Sequence, residues 1–207
     1  MVQAEEKKFN NLRYLVFYPV GFNKDKRYPL FFHLHGAGAR GKDFKIFYTT
    51  TMIKLLLNEE IELNKAIAVF PLCENDTWFD NFNDVLGLVE ELTKLDYIDK
   101  SKVIGSGKSM GGYGIYQTMM SKPELFTKGL VLCAGAMYWN AARLKDIELK
   151  IFHGEKDTVI YPEESVKMYN KLKQCGANVE LTLYPECDHN CWDKVYQNKD
   201  IWKWVIK

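Results

Sequence analysis

Three residues spread widely along the 207-residue chain have the side chains needed to transfer an acyl group. Ser109 lies at the centre of Gly107-Lys108-Ser109-Met110-Gly111, a G-x-S-x-G pattern. A serine hydroxyl is a poor nucleophile at neutral pH and needs a base beside it, itself oriented by a carboxylate. Downstream of Ser109 the sequence supplies both. Asp157 ends His153-Gly154-Glu155-Lys156-Asp157, and His189 ends Tyr184-Pro185-Glu186-Cys187-Asp188-His189. Glu155 and Asp188 are rival acids, but Asp188 adjoins His189, and neighbouring side chains in a tight loop usually diverge. His33, His35 and His153 lie in or at the exits of apolar segments and read as structural or supporting residues.

Acyl transfer also needs donors for a tetrahedral oxyanion, and losing one typically costs about 3 kcal/mol of barrier. One is expected from the backbone N–H of Met110, the first residue of a predicted helix. The second is expected from Ala37 in His35-Gly36-Ala37-Gly38, whose glycines let the backbone approach a substrate closely. Trp78 and Trp192 are candidate walls for the acyl or alcohol part, with core packing as the equal alternative for each.

Two other chemistries compete for these segments. Gly105-Ser106-Gly107-Lys108-Ser109 is similar to the end of a phosphate-binding loop, but that loop requires glycine where Lys102 stands. Cys187 and Cys191 bracket His189 as C-x-H-x-C, yet Cys73, Cys133 and Cys175 are scattered singly and offer no second ligand pair. No metal and no cofactor are therefore expected. Five cysteines make no disulfide framework, and a bridge between Cys187 and Cys191 stays open as an alternative to two free thiols.

The elements that must hold these groups alternate in type. Residues 12–19, 28–35, 66–72, 102–105, 128–134, 149–153 and 179–184 read as strands. Residues 43–57, 83–95, 110–121, 162–175 and 192–206 read as helices. Such alternation predicts a mostly parallel sheet covered by helices on both faces, with reactive groups at the C-terminal ends of the strands. All four site segments fall at such exits. No repeat or linker divides residues 1–207, so one domain is expected. Only about a dozen residues separate Ala134 from Leu149, which leaves no room for a large lid and predicts an open cleft.

Hydrophobic residues at 47% and charged residues at 27% are ordinary globular values, which argues against disorder. A formal net charge of +1 gives no general attraction for nucleic acid or anionic membranes. The apolar run 66–72 is far too short to cross a bilayer. The start, Met1-Val2-Gln3-Ala4-Glu5-Glu6, precedes no apolar run of signal-peptide length, so a cytoplasmic protein is expected, a trimmed export signal being the alternative.

The joint occurrence of 28–41, Ser109-Met110-Gly111-Gly112-Tyr113-Gly114 and His153-Gly154-Glu155-Lys156-Asp157-Thr158-Val159 resembles one branch of the α/β-hydrolases. That branch holds phospholipase/carboxylesterase and esterase-D-like proteins, feruloyl and acetyl-xylan esterases and prolyl-oligopeptidase-type hydrolases. The resemblance implies the α/β-hydrolase fold without a large lid domain, Ser109 as nucleophile, Asp157 as acid, His189 as base, and oxyanion donors at Ala37 and Met110. It implies a serine carboxylic ester hydrolase acting on small-molecule or carbohydrate-linked esters, with a feruloyl- or acetyl-type acyl group. A peptidase-like hydrolase and a non-catalytic binding module on this fold are the alternatives. Two positions depart from the pattern: Lys108 stands where such elbows usually carry an apolar residue, and Ala39 replaces a frequent acid.

Overall fold

In the computed structural model, which describes residues 3–41 and 43–207, alternate strand residues go to opposite faces of one eight-stranded sheet. Its strands are β1 (Gln3–Phe9), β2 (Leu12–Tyr18), β3 (Tyr28–Leu34), β4 (Ile67–Leu72), β5 (Ile98–Lys108), β6 (Lys128–Leu132), β7 (Glu148–Gly154) and β8 (Val179–Tyr184). Their spatial order is β1-β2-β4-β3-β5-β6-β7-β8. From β4 through β3 to β8 all pairings are parallel, while β2 runs antiparallel to β4 and β1 antiparallel to β2. This is the mostly parallel, helix-covered sheet that the alternating pattern predicts, and the α/β-hydrolase architecture that the resemblance implies.

The period of two decides which helix covers which face. Leu30, Phe32 and Leu34 of β3 pack with Val103, Ile115 and Met119. That layer is roofed by α2 (Phe82–Lys94), α3 (Met110–Ser121) and α4 (Glu163–Gln174). Phe31 points the other way and joins Ile104, Phe152, Met52 and Trp202. Its cover is α1 (Thr51–Leu57), α5 (Trp192–Gln197) and α6 (Lys199–Ile206). The helices follow the same logic: α2 buries Val85, Leu88, Val89 and Leu92, a single stripe at helical spacing.

The structure corrects the sequence reading at four places. β1 was not expected, because Gln3–Phe9 reads QAEEKKF and lacks an apolar run. The stretch 43–57 is a 3₁₀ turn, Phe44–Thr49, followed by α1. The Thr49 and Thr50 hydroxyls donate to the carbonyls of Ile46 and Phe47, closing that turn and interrupting a continuous helix. The predicted strand 102–105 is the middle of an eleven-residue β5. Residues 192–206 divide at Asn198, which leaves helical geometry (φ −78°, ψ 107°) and caps α6 by accepting from the Asp200 N–H. Met1 and Val2, with which the stretch read for an export signal begins, lie outside the described residues, as does Lys42. Among the described residues no helix is long and apolar enough to cross a membrane.

Candidate active site

The C-terminal ends of β3, β5, β7 and β8 each contribute one segment to a common site. Ser109 joins β5 to α3 with φ 53° and ψ −126°, a conformation that a residue with a side chain adopts only when its surroundings impose it. They do. The Ser109 N–H donates to the Leu132 carbonyl at 2.9 Å, and the Gly112 and Tyr113 N–H groups donate to the Ser109 carbonyl at 2.8 and 3.2 Å. A Cβ on Gly107 would fall 2.2 Å from the Gly111 carbonyl oxygen, and one on Gly111 would fall 2.0 Å from that of Leu34. Both glycines of the motif are thus required by close backbone approach, which is the physical content of G-x-S-x-G.

The structure brings Ser109, His189 and Asp157 together. His189 Nε2 lies 2.9 Å from Ser109 Oγ, and its Nδ1 lies 2.6 Å from Asp157 Oδ2. With Nδ1–H donated to the carboxylate, Nε2 is left to accept the serine proton. Asp157 is 2% exposed. Burial pushes its pKa up, but the hydrogen bonds from His189 and from the Ile160 and Val159 N–H groups outweigh this and hold the carboxyl below its ordinary value. Those two N–H groups donate to Oδ1 at 2.9 Å each. The rival acids are absent from this network: Glu155 is exposed, and Asp188 turns outward to accept from the Asn190 N–H.

His153 has a larger part than its reading as a supporting residue suggested. It is fully buried, and its Nε2 lies 3.1 Å from Asp157 Oδ2 and 2.8 Å from the Ile160 carbonyl. Both neighbours are acceptors, so Nε2 carries the hydrogen. Nδ1 lies 2.7 Å from Ser165 Oγ, which itself donates to the Ala134 carbonyl. Asp157 is therefore gripped by two imidazoles and two amides. The one sequence signal for this is the placement of a histidine four residues before the acid.

Met110 is the first residue of α3, so its N–H has no intrahelical acceptor. Ala37 begins a short 3₁₀ turn, Ala37–Ala39, beside the elbow. A Cβ on the preceding Gly36 would lie 3.4 Å from Ser109 Cβ. Arg40 pins this loop, donating through Nε to the Ala37 carbonyl and through Nη1 to the Asp76 carbonyl. Trp78 pins it from below. Its Nε1–H donates to the His35 carbonyl at 2.9 Å. At 1% exposure the indole is a strut of the core and has no face toward the cleft, which corrects its reading as a substrate wall. His35 is also structural: burial lowers its pKa to about 4, and its Nε2 accepts from the Cys73 N–H. His33, bonded to Ser106 Oγ, is held neutral by burial in the same way.

Trp192 does line the cleft, together with Ala37, Ser109 and His189, in a space of about 500 Å³ that suits a small organic ligand. Its ring stands edge-on to His189, with centroids 5.1 Å apart. All five cysteines are free. Cys191 Sγ lies 3.1 Å from Cys133 Sγ, so the pairing weighed between Cys187 and Cys191 is not the one the fold favours. The C-x-H-x-C set does not converge either. Cys133, His153 and Asp157 have donor atoms within 4.8 Å of one another, but the imidazole and carboxylate atoms there are engaged in the hydrogen bonds just described.

A family model described as the prolyl oligopeptidase family matches residues 75–150 and 138–207. A protein named "Probable feruloyl esterase C" from Aspergillus terreus is 26% identical over 169 residues, covering 80% of this chain and 62% of that protein. "Inactive dipeptidyl peptidase 10" of Rattus norvegicus is 24% identical over 139 residues, covering 54% of this chain and 18% of that protein. Among solved structures, a thermostable esterase matches with TM-score 0.80 and 26% identity over 99% of this chain and 62% of that one. A ferulic acid esterase matches with TM-score 0.72 and 16% identity over 100% of this chain and 98% of that one. The chain thus spans about a fifth of the dipeptidyl peptidase relative and under two thirds of the feruloyl esterase.

Proposed function

The chain belongs to the prolyl oligopeptidase family, within the α/β-hydrolase superfamily and its serine hydrolases of esterase and peptidase type, and on that premise we propose that it hydrolyses carboxylic esters through Ser109, His189 and Asp157. Family membership alone does not carry this reading, since one relative is named inactive. What carries it is the unbroken hydrogen-bonded line from Ser109 Oγ through His189 to a buried Asp157.

In the proposed reaction Ser109 Oγ attacks the ester carbonyl as His189 Nε2 takes its proton, and Asp157 stabilises the imidazolium. The oxyanion is received by the Met110 and Ala37 N–H groups, with the positive end of α3 adding to the stabilisation. Collapse breaks the acyl–oxygen bond, and the alcohol leaves with the proton from His189. Water then attacks the acyl-enzyme by the same route in reverse roles, releasing acid and free Ser109. The names of the feruloyl esterase relatives favour small-molecule or carbohydrate-linked esters with an aromatic or acetyl acyl group, and Trp192 supplies an apolar wall for such a group. The family match favours a second reading, a peptidase-like hydrolase, and parallel assays on an aryl ester and the matching anilide separate the two.

Turnover of aryl and acetyl esters by the wild type and Ser109→Ala tests the proposal. A loss of about 10⁶-fold in kcat is expected. Residual turnover above a thousandth of wild type, or failure of a fluorophosphonate to label Ser109, would remove the serine from its assigned role.

A further inference from the structure

Lys108, one residue before the nucleophile, is half-buried, and it is the one Lys or Arg among the described residues that line the cleft. Its ammonium has no hydrogen bond and no ion pair with any described residue. Its close neighbour is the face of Trp192, with Nζ 4.3 Å from the ring centroid. Other half-buried cations of the molecule are provided for: Lys128 donates to the Trp204 carbonyl, and Lys102 to the Ile206 carbonyl. Withdrawing an ammonium from water without an anion is costly, and a cation–π contact returns about 0.5–2 kcal/mol of that. Burial accordingly lowers the Lys108 pKa, with Asp193 acting against the shift from a distance.

Space decides on which side a partner fits. Lys108 also walls a slot behind Ala39 and Thr50, but that slot measures about 20 Å³ and has room for a single water. The open cleft on its other side is about 500 Å³ and contains Ser109. None of the other residues lining it is Asp or Glu. We propose that Lys108 and Trp192 form a subsite for a carboxylate carried by the ester substrate, placed within reach of the reacting carbonyl. This rests on the esterase reading above and narrows its substrates to anionic esters. The carboxylate accepts charge-assisted hydrogen bonds from the ammonium, while the apolar neighbour of that carboxylate lies against the indole.

Two pairs of substrates test this and show which half of the ester carries the charge. One is 4-acetoxybenzoate with its methyl ester; the other is the mono-4-nitrophenyl ester of adipic acid with its methyl ester. The expected ratio of kcat/KM, acid over methyl ester, is about tenfold or more for at least one pair, the equivalent of one charge-assisted bond. Lys108→Met should bring that ratio to about one, and Lys108→Arg should keep it above one. Because each ratio is taken on one preparation, partial misfolding of a variant leaves it unchanged. Turnover of the neutral esters with no preference for either acid, or a preference that survives in Lys108→Met, overturns the subsite and leaves the esterase reading standing. Turnover of none of the four by the wild type brings down the esterase reading and the subsite with it.

Discussion

At the scale of single residues, the site is a problem of holding one carboxylate still. Asp157 accepts from His189, His153, Val159 and Ile160, so rotation about its side chain would break at least two bonds at once. His153 then acts as a positioning residue: it touches the acid and leaves the reacting atoms to others. His153→Leu should lower kcat about tenfold with KM little changed, because a small displacement of the acid–base pair is felt in the barrier. His153→Gln, which keeps a donor, should recover part of the loss. A fall confined to KM would show that the residue shapes binding instead. The types and order of Ser109, Asp157 and His189 were legible because their chemistry demands those side chains at strand exits. Trp78 was not. An indole near a site in sequence says nothing of which way it faces, and here the hydrogen bond to the His35 carbonyl turns it into the core.

At the scale of elements, β5, β7 and β8 deliver nucleophile, acid and base, and the fit between them is set by backbone contacts. Gly154, the last residue of β7, lies under the loop that carries His189, and a Cβ there would fall 2.1 Å from the Asp188 carbonyl oxygen and 2.5 Å from that of Cys187. Gly154→Ala must push this loop outward. A shift on the order of 1 Å costs about a hundredfold in turnover, so kcat should fall by that amount while far-ultraviolet circular dichroism stays native. Unchanged kcat would mean that the loop reaches its position by another support. Strands with continuous apolar runs, such as Ile67–Leu72, were readable because both faces are buried. β1 was invisible because an edge strand built around four consecutive charges, Glu5-Glu6-Lys7-Lys8, has no such run, and its Glu and Lys side chains guard an open sheet edge. The start of β5, Ile98 to Ser101, was missed for a related reason: its Asp99, Lys100 and Ser101 face solvent or the strand's turn.

For the molecule as a whole, two neutral histidines in the core set an acid limit. Burial lowers His35 to about 4 and also pushes His33 well down, both below the roughly 6.5 of an unfolded chain. Between those values the unfolded state binds more protons than the native one. Stability is therefore full above about pH 6.5 and is lost as pH falls toward 4, at up to about 1.4 kcal/mol per pH unit for each histidine. Urea unfolding at pH 7, 6 and 5 should show a declining midpoint, and an invariant midpoint would mean that neither ring resists protonation. The elbow at Ser109 bears on durability from the opposite direction. A residue without a side chain would occupy φ 53°, ψ −126° freely. Ser109→Gly should thus melt a few degrees above both wild type and Ser109→Ala, consistent with a net gain of about 1 kcal/mol in a chain of this size. A selection that rewarded heat resistance and ignored turnover would then enrich for inert molecules, and the hydroxyl would be among the first groups to disappear.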